Sequence, residues 1–346
     1  MVTFRLTQED VANLDTLFED LESVLQNIWP GCTAIPFGSI TTGLGFKTSD
    51  ADCFISIPAE HREQDPKFVH KVRSLLKNHS ETFSKIKSIP RADVPLVKFF
   101  HKPTQTECDT TFKSPLGTRN SKLITFLLHA DSRIIPMAVA IKCWAKVHRL
   151  SGTTKLKNYA LAIMIIFYLQ QPPISILPSV EWLQRNSELD QIVDYWNTGF
   201  MNESSKLPPC LNTSSVSELL GGFFEYYSTF NFEESVVCPY LGKTIKKTAF
   251  INSDDLPNEF QRYKDNVRSK HVQPLKHKTP FCIQDPLNHC HNVALPIRKR
   301  LSTSIKQYIK FAADKYEEEK LNNCDNFLKS ILLEKPETMK KRVPIS

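Results

Sequence analysis

Two aspartates one residue apart, Asp50 and Asp52, open an apolar run within Phe37 to Ile57, FGSITTGLGFKTSDADCFISI, and this pair constrains the chain more than any other feature. The run Cys53, Phe54, Ile55, Ser56, Ile57 reads as a largely buried strand. Residues i and i+2 of a strand point the same way, so Asp50 and Asp52 share one face, with Ala51, Cys53 and Ile55 on the other. Two carboxylates side by side at the start of a buried strand repel each other. A fold keeps such a pair by setting cations between them. Hard divalent ions such as Mg²⁺ take oxygen ligands, and two of them about 3.5–4 Å apart drive in-line phosphoryl displacement. The competing reading is a surface turn, Ser-Asp-Ala-Asp, leading into the strand. The Gly38-Ser39 pair, eleven residues before Asp50, favours the first. Glycine lets backbone approach a ligand, and a serine opening a helical turn suits a phosphate.

The chain of 346 residues is long enough for two domains, and 41% hydrophobic content is globular. The net charge of +7 is modest, but the cations cluster. Lys142 to Lys157 holds five Lys/Arg and no acid, and Arg262 to Lys278 holds six against one Asp. Such patches suit a polyanion or a solvated face. Nine cysteines, an odd number without a CxxC pair, point to a reducing, cytoplasmic compartment. No apolar run reaches the ~18–20 residues of a membrane span, and no charged-then-apolar leader opens the chain. The first helix begins at Thr7, as in a core cut from a longer protein. A monomer is expected.

Thr7 reads as a helix N-cap ahead of Val11, Leu14, Phe18, Leu21, Leu25 and Ile28, stopped by Pro30-Gly31. A second helix is expected over 68–86, then strands over 94–100 and 106–112 joined by a short turn. This is a small α/β lobe. From Lys122 the pattern turns helical: 134–150, a nearly all-apolar 159–170, then 180–196, 216–229 and 299–320, with loops over 202–214 and 231–257. The fold class is therefore α/β plus all-α. It is bilobal, with a small mixed-sheet lobe over 1–125, a mostly helical lobe over 126–335, a basic tail over 336–346, and a cleft between the lobes as the natural ligand site.

In the strand TECDTTF, Glu107, Asp109 and Thr111 share a face. An acid in a central strand needs a partner; a metal shared with Asp50 and Asp52, or a Lys or Arg ion pair, would serve. Lys142 and Lys146 are i and i+4 on one helix. They are placed to grip phosphates or to meet solvent. Asn158 suits an N-cap for the helix begun by Tyr159. The cluster Cys282, His289, Cys290, His291 lacks the paired spacing of a zinc site.

Gly-Ser, ten residues, Asp-x-Asp and a later strand Asp together resemble the DNA polymerase β-like nucleotidyltransferases. LGTRNSKLI (116–124), MAVAIKCWAKVHRL (137–150) and IQDPLNHCHNVA (283–294) extend the resemblance to the noncanonical poly(A) polymerases and terminal uridylyltransferases. The likeness covers about residues 8 to 312. It implies a template-independent uridylyltransferase acting on RNA 3′ ends, with UTP as substrate and two Mg²⁺ (or Mn²⁺) ions. By that resemblance Asp50, Asp52 and Asp109 are catalytic metal ligands. Gly38, Ser39, Lys142 and Lys146 take the phosphates. Asn120, Ser121, Asn158, Tyr159, Asp285 and His291 hold the nucleoside, with Tyr159 stacked on the base or, on the plainer reading, packed in the core. A His before Asn-Val marks the family's uridylating members, and His291 stands there. Asn288, and Ala294-Leu295 where Gly-Arg is usual, depart from the pattern. RNA is expected along Arg268, Lys270, Arg298 and Arg300. The alternatives are a poly(A) polymerase, a silent RNA-binding member of the fold, or a structural module with surface aspartates.

Overall fold

The computed structural model describes residues 6–61, 68–92, 94–152, 154–322 and 326–340. The chain divides into two compact units, 1–126 and 127–346.

Unit 1 begins with helix α1 (Gln8–Leu25), closed at its start by a reciprocal capping box between Thr7 and Asp10. Its sheet contains β1 (Thr33–Phe37), β2 (Ala51–Ser56), β3 (Phe83–Ile89), β4 (Leu96–His101) and β5 (Thr106–Thr111), in the order β1-β2-β5-β4-β3. Only the β2–β5 pair is parallel. Helices α1 and α2 (Phe68–Asn78) supply Leu17, Leu21, Val69, Val72 and Leu76 to a core that also takes Ala51, Cys53, Ile55, Val97, Phe99 and Cys108 from the sheet. Alternation then sends Asp52, Lys98 and Asp109 to the opposite face. The expected helix over 68–86 ends at Asn78, and Phe83–Ile89 instead becomes edge strand β3, paired antiparallel with β4. Strand β1 was not expected; Pro36 masks its strand pattern, and it pairs along β2 as the outer strand. Helix α1 stops at Leu25, short of Pro30-Gly31.

Helix α3 (Leu116–Leu128) starts six residues before the expected Lys122 and spans the boundary between the units. In unit 2, α4 (Ile134–Val147) and α5 (Asn158–Leu169) lead into α6 (Val180–Arg185). The expected helix over 180–196 breaks at Asn186. A two-stranded hairpin follows, β6 (Ile192–Val193) and β7 (Trp196–Asn197), turning at Asp194 and Tyr195 with positive φ. Helix α7 (Val216–Thr229) carries a Ser215–Glu218 capping box. A second short pair, β8 (Ser235–Val236) and β9 (Ile245–Lys246), and 3₁₀ turns interrupt the expected loop over 231–257. Then come α8 (Gln261–Arg268), α9 (Lys299–Asn322), α10 (Phe327–Leu333) and α11 (Glu337–Lys340). Residues 341–346 of the expected basic tail lie outside the described residues, and 337–340 are helical. All eight cysteines among the described residues are free. No helix among them is long and apolar enough to cross a membrane.

Every residue of α5 from Ala160 to Leu169 is buried, which makes it the central rod of unit 2. Helices α7 and α9 meet where Gly221 lies against the Tyr316 ring. A Cβ at Gly221 would stand 2.3 Å from two ring carbons. Alanine gains about 1 kcal/mol of helix propensity over glycine, whereas overpacking costs about 1–3 kcal/mol or more. The rigid ring makes the second term win. Gly221→Ala should therefore lower the thermal midpoint by a few degrees, read by calorimetry. An unchanged or raised midpoint would show that the two helices have room to part.

Candidate functional site

The carboxylates of unit 1 sit where three strands bring ionisable residues into one row. Asp52 on β2 is in register with Asp109 on β5, which is in register with Lys98 on β4. Asp50 lies one residue ahead of β2 and is exposed. Gly38 makes the space for this row: its φ is +76°, and a Cβ there would stand 2.5 Å from Asp52 Oδ2. Glycine is needed both for the backbone conformation and for the close approach. The Gly38 N–H donates to Ser121 Oγ at 2.8 Å, and Thr125 Oγ1 donates to the Thr41 carbonyl at 3.2 Å, so α3 holds the turn in place. Ser121 is thus committed, at least in part, to positioning Gly38. Ser39 occupies a single 3₁₀ turn (Gly38–Ile40) rather than the start of a longer helix. Asn120 is half-buried beside Ser121 on α3.

Electrostatics at this face are strained. Burial, then Asp109 and Asp50, push the Asp52 carboxyl up to about 7. Lost hydration, then Asp109 and Glu107, also raise Asp50. Lys98 opposes both shifts, and its ammonium contacts Asp109 Oδ2 directly. Lys98 is the partner that the alternating pattern of VPLVKFF could have revealed, as the one cation on that strand's outward face. Among the described residues no three His, Cys, Asp or Glu side chains are already gathered as a metal cage; Asp109 is turned to Lys98. The donor set nonetheless fits a hard divalent cation: carboxylate oxygens on one face, held together against their repulsion and short of positive charge.

Unit 2 carries the other predicted residues in two groups. Lys142 on α4 is 5% exposed, and burial, then the neighbouring Lys146, bring its ammonium down to about 8. Lys146 is exposed one turn on. Such a pair favours an arriving anion, which relieves both causes. The second group centres on Asp285, 2% exposed. Its Oδ1 accepts the N–H groups of Leu287 (3.0 Å) and Asn288 (2.9 Å), and its Oδ2 accepts the Tyr159 hydroxyl at 3.0 Å. His291 Nδ1 lies 3.6 Å from Oδ2, while its side chain is 52% exposed. Burial alone would raise the Asp285 carboxyl; His291 and the two N–H donors hold it below the usual carboxylate range.

Asn292, adjacent to His291, is the positioning residue that motif reasoning passed over. Its Nδ2 donates to the Lys276 carbonyl (3.0 Å) and Thr279 Oγ1 (2.9 Å), and its Oδ1 accepts from Ile283 (3.1 Å) and Ala294 (3.0 Å). Asn288 closes the turn, its backbone N–H on Asp285 and its carbonyl accepting from the His291 N–H at 2.9 Å. His289 is packed among Tyr240, Trp196 and Phe260, and burial lowers it to about 4. Asn158 is the first residue of α5 and exposed; Lys157, extended and without a side-chain bond, is the cap instead. Arg268 is paired with Asp254 and, at 3.9 Å, Asp265. Lys270, Arg298 and Arg300 are exposed.

Two family profiles match the chain: "Poly(A) RNA polymerase, mitochondrial-like, central palm domain" over residues 1–128 and "Cid1 family poly A polymerase" over 215–291. The chain is 28% identical over 334 residues to the Speckle targeted PIP5K1A-regulated poly(A) polymerase of Danio rerio, covering 85% of this chain and 42% of that protein. It is 24% identical to the mitochondrial poly(A) RNA polymerase of Mus musculus (90% and 53%) and 26% identical to terminal uridylyltransferase 7 of Homo sapiens (83% and 18%). It thus spans less than two thirds of these relatives' lengths. Crystal structures of mtPAP in complex with UTP (TM-score 0.78, 22% identity, 95% of this chain and 70% of that one) and of Cid1 poly(U) polymerase with MgGTP (0.76, 22%, 96% and 95%) share its fold.

A carboxyl raised from 3.8 to about 7 stabilises the folded state while protonated, and that contribution is lost as pH rises through about 7. The metal-free protein should therefore melt lower at about pH 8 than at about pH 5 on account of unit 1, with Mg²⁺ or Mn²⁺ restoring stability mainly at the higher pH. Asp52→Asn should flatten the pH dependence and abolish the metal increment. A variant that keeps the full increment would remove Asp52 from the metal site.

Proposed function

The chain belongs to the noncanonical poly(A) polymerase, Cid1-like family of nucleotidyltransferases, and on that premise we propose that it adds UMP from UTP to the 3′ end of an RNA without a template, releasing pyrophosphate. The reading makes unit 1 the catalytic domain and assigns Asp50, Asp52 and Asp109 to hold two Mg²⁺ or Mn²⁺ ions. Such ions lower the pKa of an attacking hydroxyl and neutralise a leaving pyrophosphate. Gly38 and Ser39 offer backbone and hydroxyl to phosphate oxygens, and Lys98 gives up Asp109 as the cations arrive. Lys142 and Lys146 grip the triphosphate tail. Asn120 and Ser121 serve the ribose, and the half-buried ring of Tyr159 offers a stacking face worth ~1–3 kcal/mol.

One observation carries the choice of UTP: an exposed imidazole, His291, backed by a buried, ionised Asp285. Facing a carboxylate, Nδ1 carries a proton. In the neutral ring Nε2 is then an acceptor, which suits the N3–H of uracil but also the amino group of adenine. A donor at Nε2 would meet the O4 acceptor of uracil where adenine presents its amino donor. Discrimination of ~1–3 kcal/mol, about tenfold to a hundredfold, follows from one matched against one mismatched site. The second reading, adenylation, is favoured by the poly(A) polymerases among the matched relatives.

A short RNA incubated with each nucleotide separately separates the two. UTP should be used about tenfold to a hundredfold better than ATP. His291→Ala should lose most of the preference while still extending RNA, and Asp109→Ala should stop extension. Preferential A-tailing by the unchanged protein would sink the uridylyl assignment. Extension surviving Asp109→Ala would sink the metal assignment.

A further inference from the structure

Unit 2 holds a cavity of ≈ 510 Å³ that shares no residue with the α4 lysines or the Tyr159–Asp285–His291 group. Four lysines reach it from three separate stretches: Lys247 after β9, Lys278, and Lys299 and Lys306 on α9. Glu233 is its one acidic lining residue, so the four lysines leave the lining with three more cations than carboxylates. Lys247 is buried and its Nζ donates to the carbonyls of Phe232 and Thr279, both at 2.7 Å. Lys306 bonds Glu233 at 2.6 Å, and Lys306 first, then Lys247 and Lys299, hold the Glu233 carboxyl below its usual range. Glu233 bonds only Lys306 directly among these lysines, and the exposed Lys278 and Lys299 face the cavity with no carboxylate in contact among the described residues. Gathering like charges around a concavity costs free energy that a bound anion returns.

His277 says which kind of anion. Its Nδ1 lies 3.2 Å from the Leu275 carbonyl, an acceptor, so Nδ1 is the protonated nitrogen of the neutral ring. Nε2 is then a lone-pair acceptor, and it is buried without a hydrogen-bond partner among the described residues. A buried polar atom in that state calls for a donor. Inorganic phosphate at neutral pH, or a polyphosphate, brings mainly acceptors. A ribonucleotide brings both an anionic phosphate and a 2′-hydroxyl that donates. Exposed Ile251 and half-buried Pro280 at the lining offer apolar surface to the nucleoside.

We propose that this cavity is a second RNA site, seating one ribonucleotide of the bound strand with its phosphate on Lys278 and Lys299 and its 2′-hydroxyl on His277 Nε2. The inference rests on the reading that RNA is the substrate, and adds a place where the strand is held apart from the groups that carry the chemistry. The test is equilibrium binding of a single-stranded RNA of about 20 nucleotides, and of DNA of the same sequence, by fluorescence anisotropy across a salt series. The variants are the double Lys278→Ala/Lys299→Ala, His277→Phe, and the charge-matched control Lys206→Ala/Lys310→Ala. The cavity double variant should lose roughly tenfold in RNA affinity with a salt slope shallower by about 1–2, and the control should lose less than about half as much in log affinity. His277→Phe should narrow the preference for RNA over DNA several-fold while leaving DNA binding in place, a readout that misfolding would not reproduce. Binding is read without catalysis, so a protein that binds RNA in this pattern but extends nothing sinks the transferase reading and leaves the cavity assigned. An active protein whose RNA affinity ignores both variants overturns the cavity assignment alone. If the double variant loses inorganic tripolyphosphate but not RNA, the cavity takes a free polyphosphate and the RNA assignment fails.

Discussion

The approach of Asp52 to the Cα of Gly38 is the constraint on which unit 1 depends. A carboxylate oxygen packed against backbone loses hydration it does not recover from that backbone, and its pKa climbs accordingly. The neighbours follow from this. Register places Asp109 alongside, which worsens the repulsion, and Lys98 on the next strand relieves it. Ser121 reaches from α3 to fix the Gly38 N–H, so the turn cannot retreat to give the carboxylate water. The helices on the other face close the core behind Ala51, Cys53 and Ile55 and hold the strand in this register. A one-residue slip would put Asp52 into that core.

Unit 2 solves the buried-carboxylate problem in the opposite way. Asp285 is more deeply buried than Asp52, yet its pKa falls rather than rises. Two backbone N–H groups, the Tyr159 hydroxyl and His291 supply what water would have supplied. Hydrogen bonds to the charged form outweigh desolvation when there are several of them. The contrast separates two kinds of acid. Asp285 is satisfied by its own fold and so is a fixed reference charge for the imidazole in front of it. Asp52 is left wanting positive charge.

How much of this could be read from the chain depended on whether the signal was local. The N-cap at Thr7, the apolar α5 and the strands β4 and β5 were legible, because each is set by residues within one element. The carboxylate pair and Asp109 were singled out by pattern, but their alignment needs the parallel β2–β5 pairing, which joins segments some fifty residues apart in the chain. Strand β3 was hidden because Phe83 and Ile86 fall at helical spacing after Leu75 and Leu76, and only pairing with β4 decides for the strand. Asn292 was invisible as a positioning residue: its partners lie at 276, 279, 281, 283 and 294, on both sides of a turn. Of the cavity lysines only Lys278 falls in a basic patch legible in the sequence; Lys247, Lys299 and Lys306 come to it through the fold.

The energetic asymmetry between Asp285 and His291 bears on what a family name can convey about this protein. Replacing Asp285 by an apolar residue would strand a hydroxyl and two backbone N–H groups, each costing about 1–3 kcal/mol when left unsatisfied. Replacing His291, half in solvent and making one contact at 3.6 Å, disturbs almost nothing in the fold. The scaffold around Asp285 is therefore expensive to alter, whereas His291 is cheap. Proteins sharing this framework can differ in the nucleotide they prefer by a single exposed side chain worth ~1–3 kcal/mol. That is too small a term to leave a trace in fold similarity. On the proposed reading, base preference has to be argued from His291, where the framework is indifferent, rather than from the framework itself.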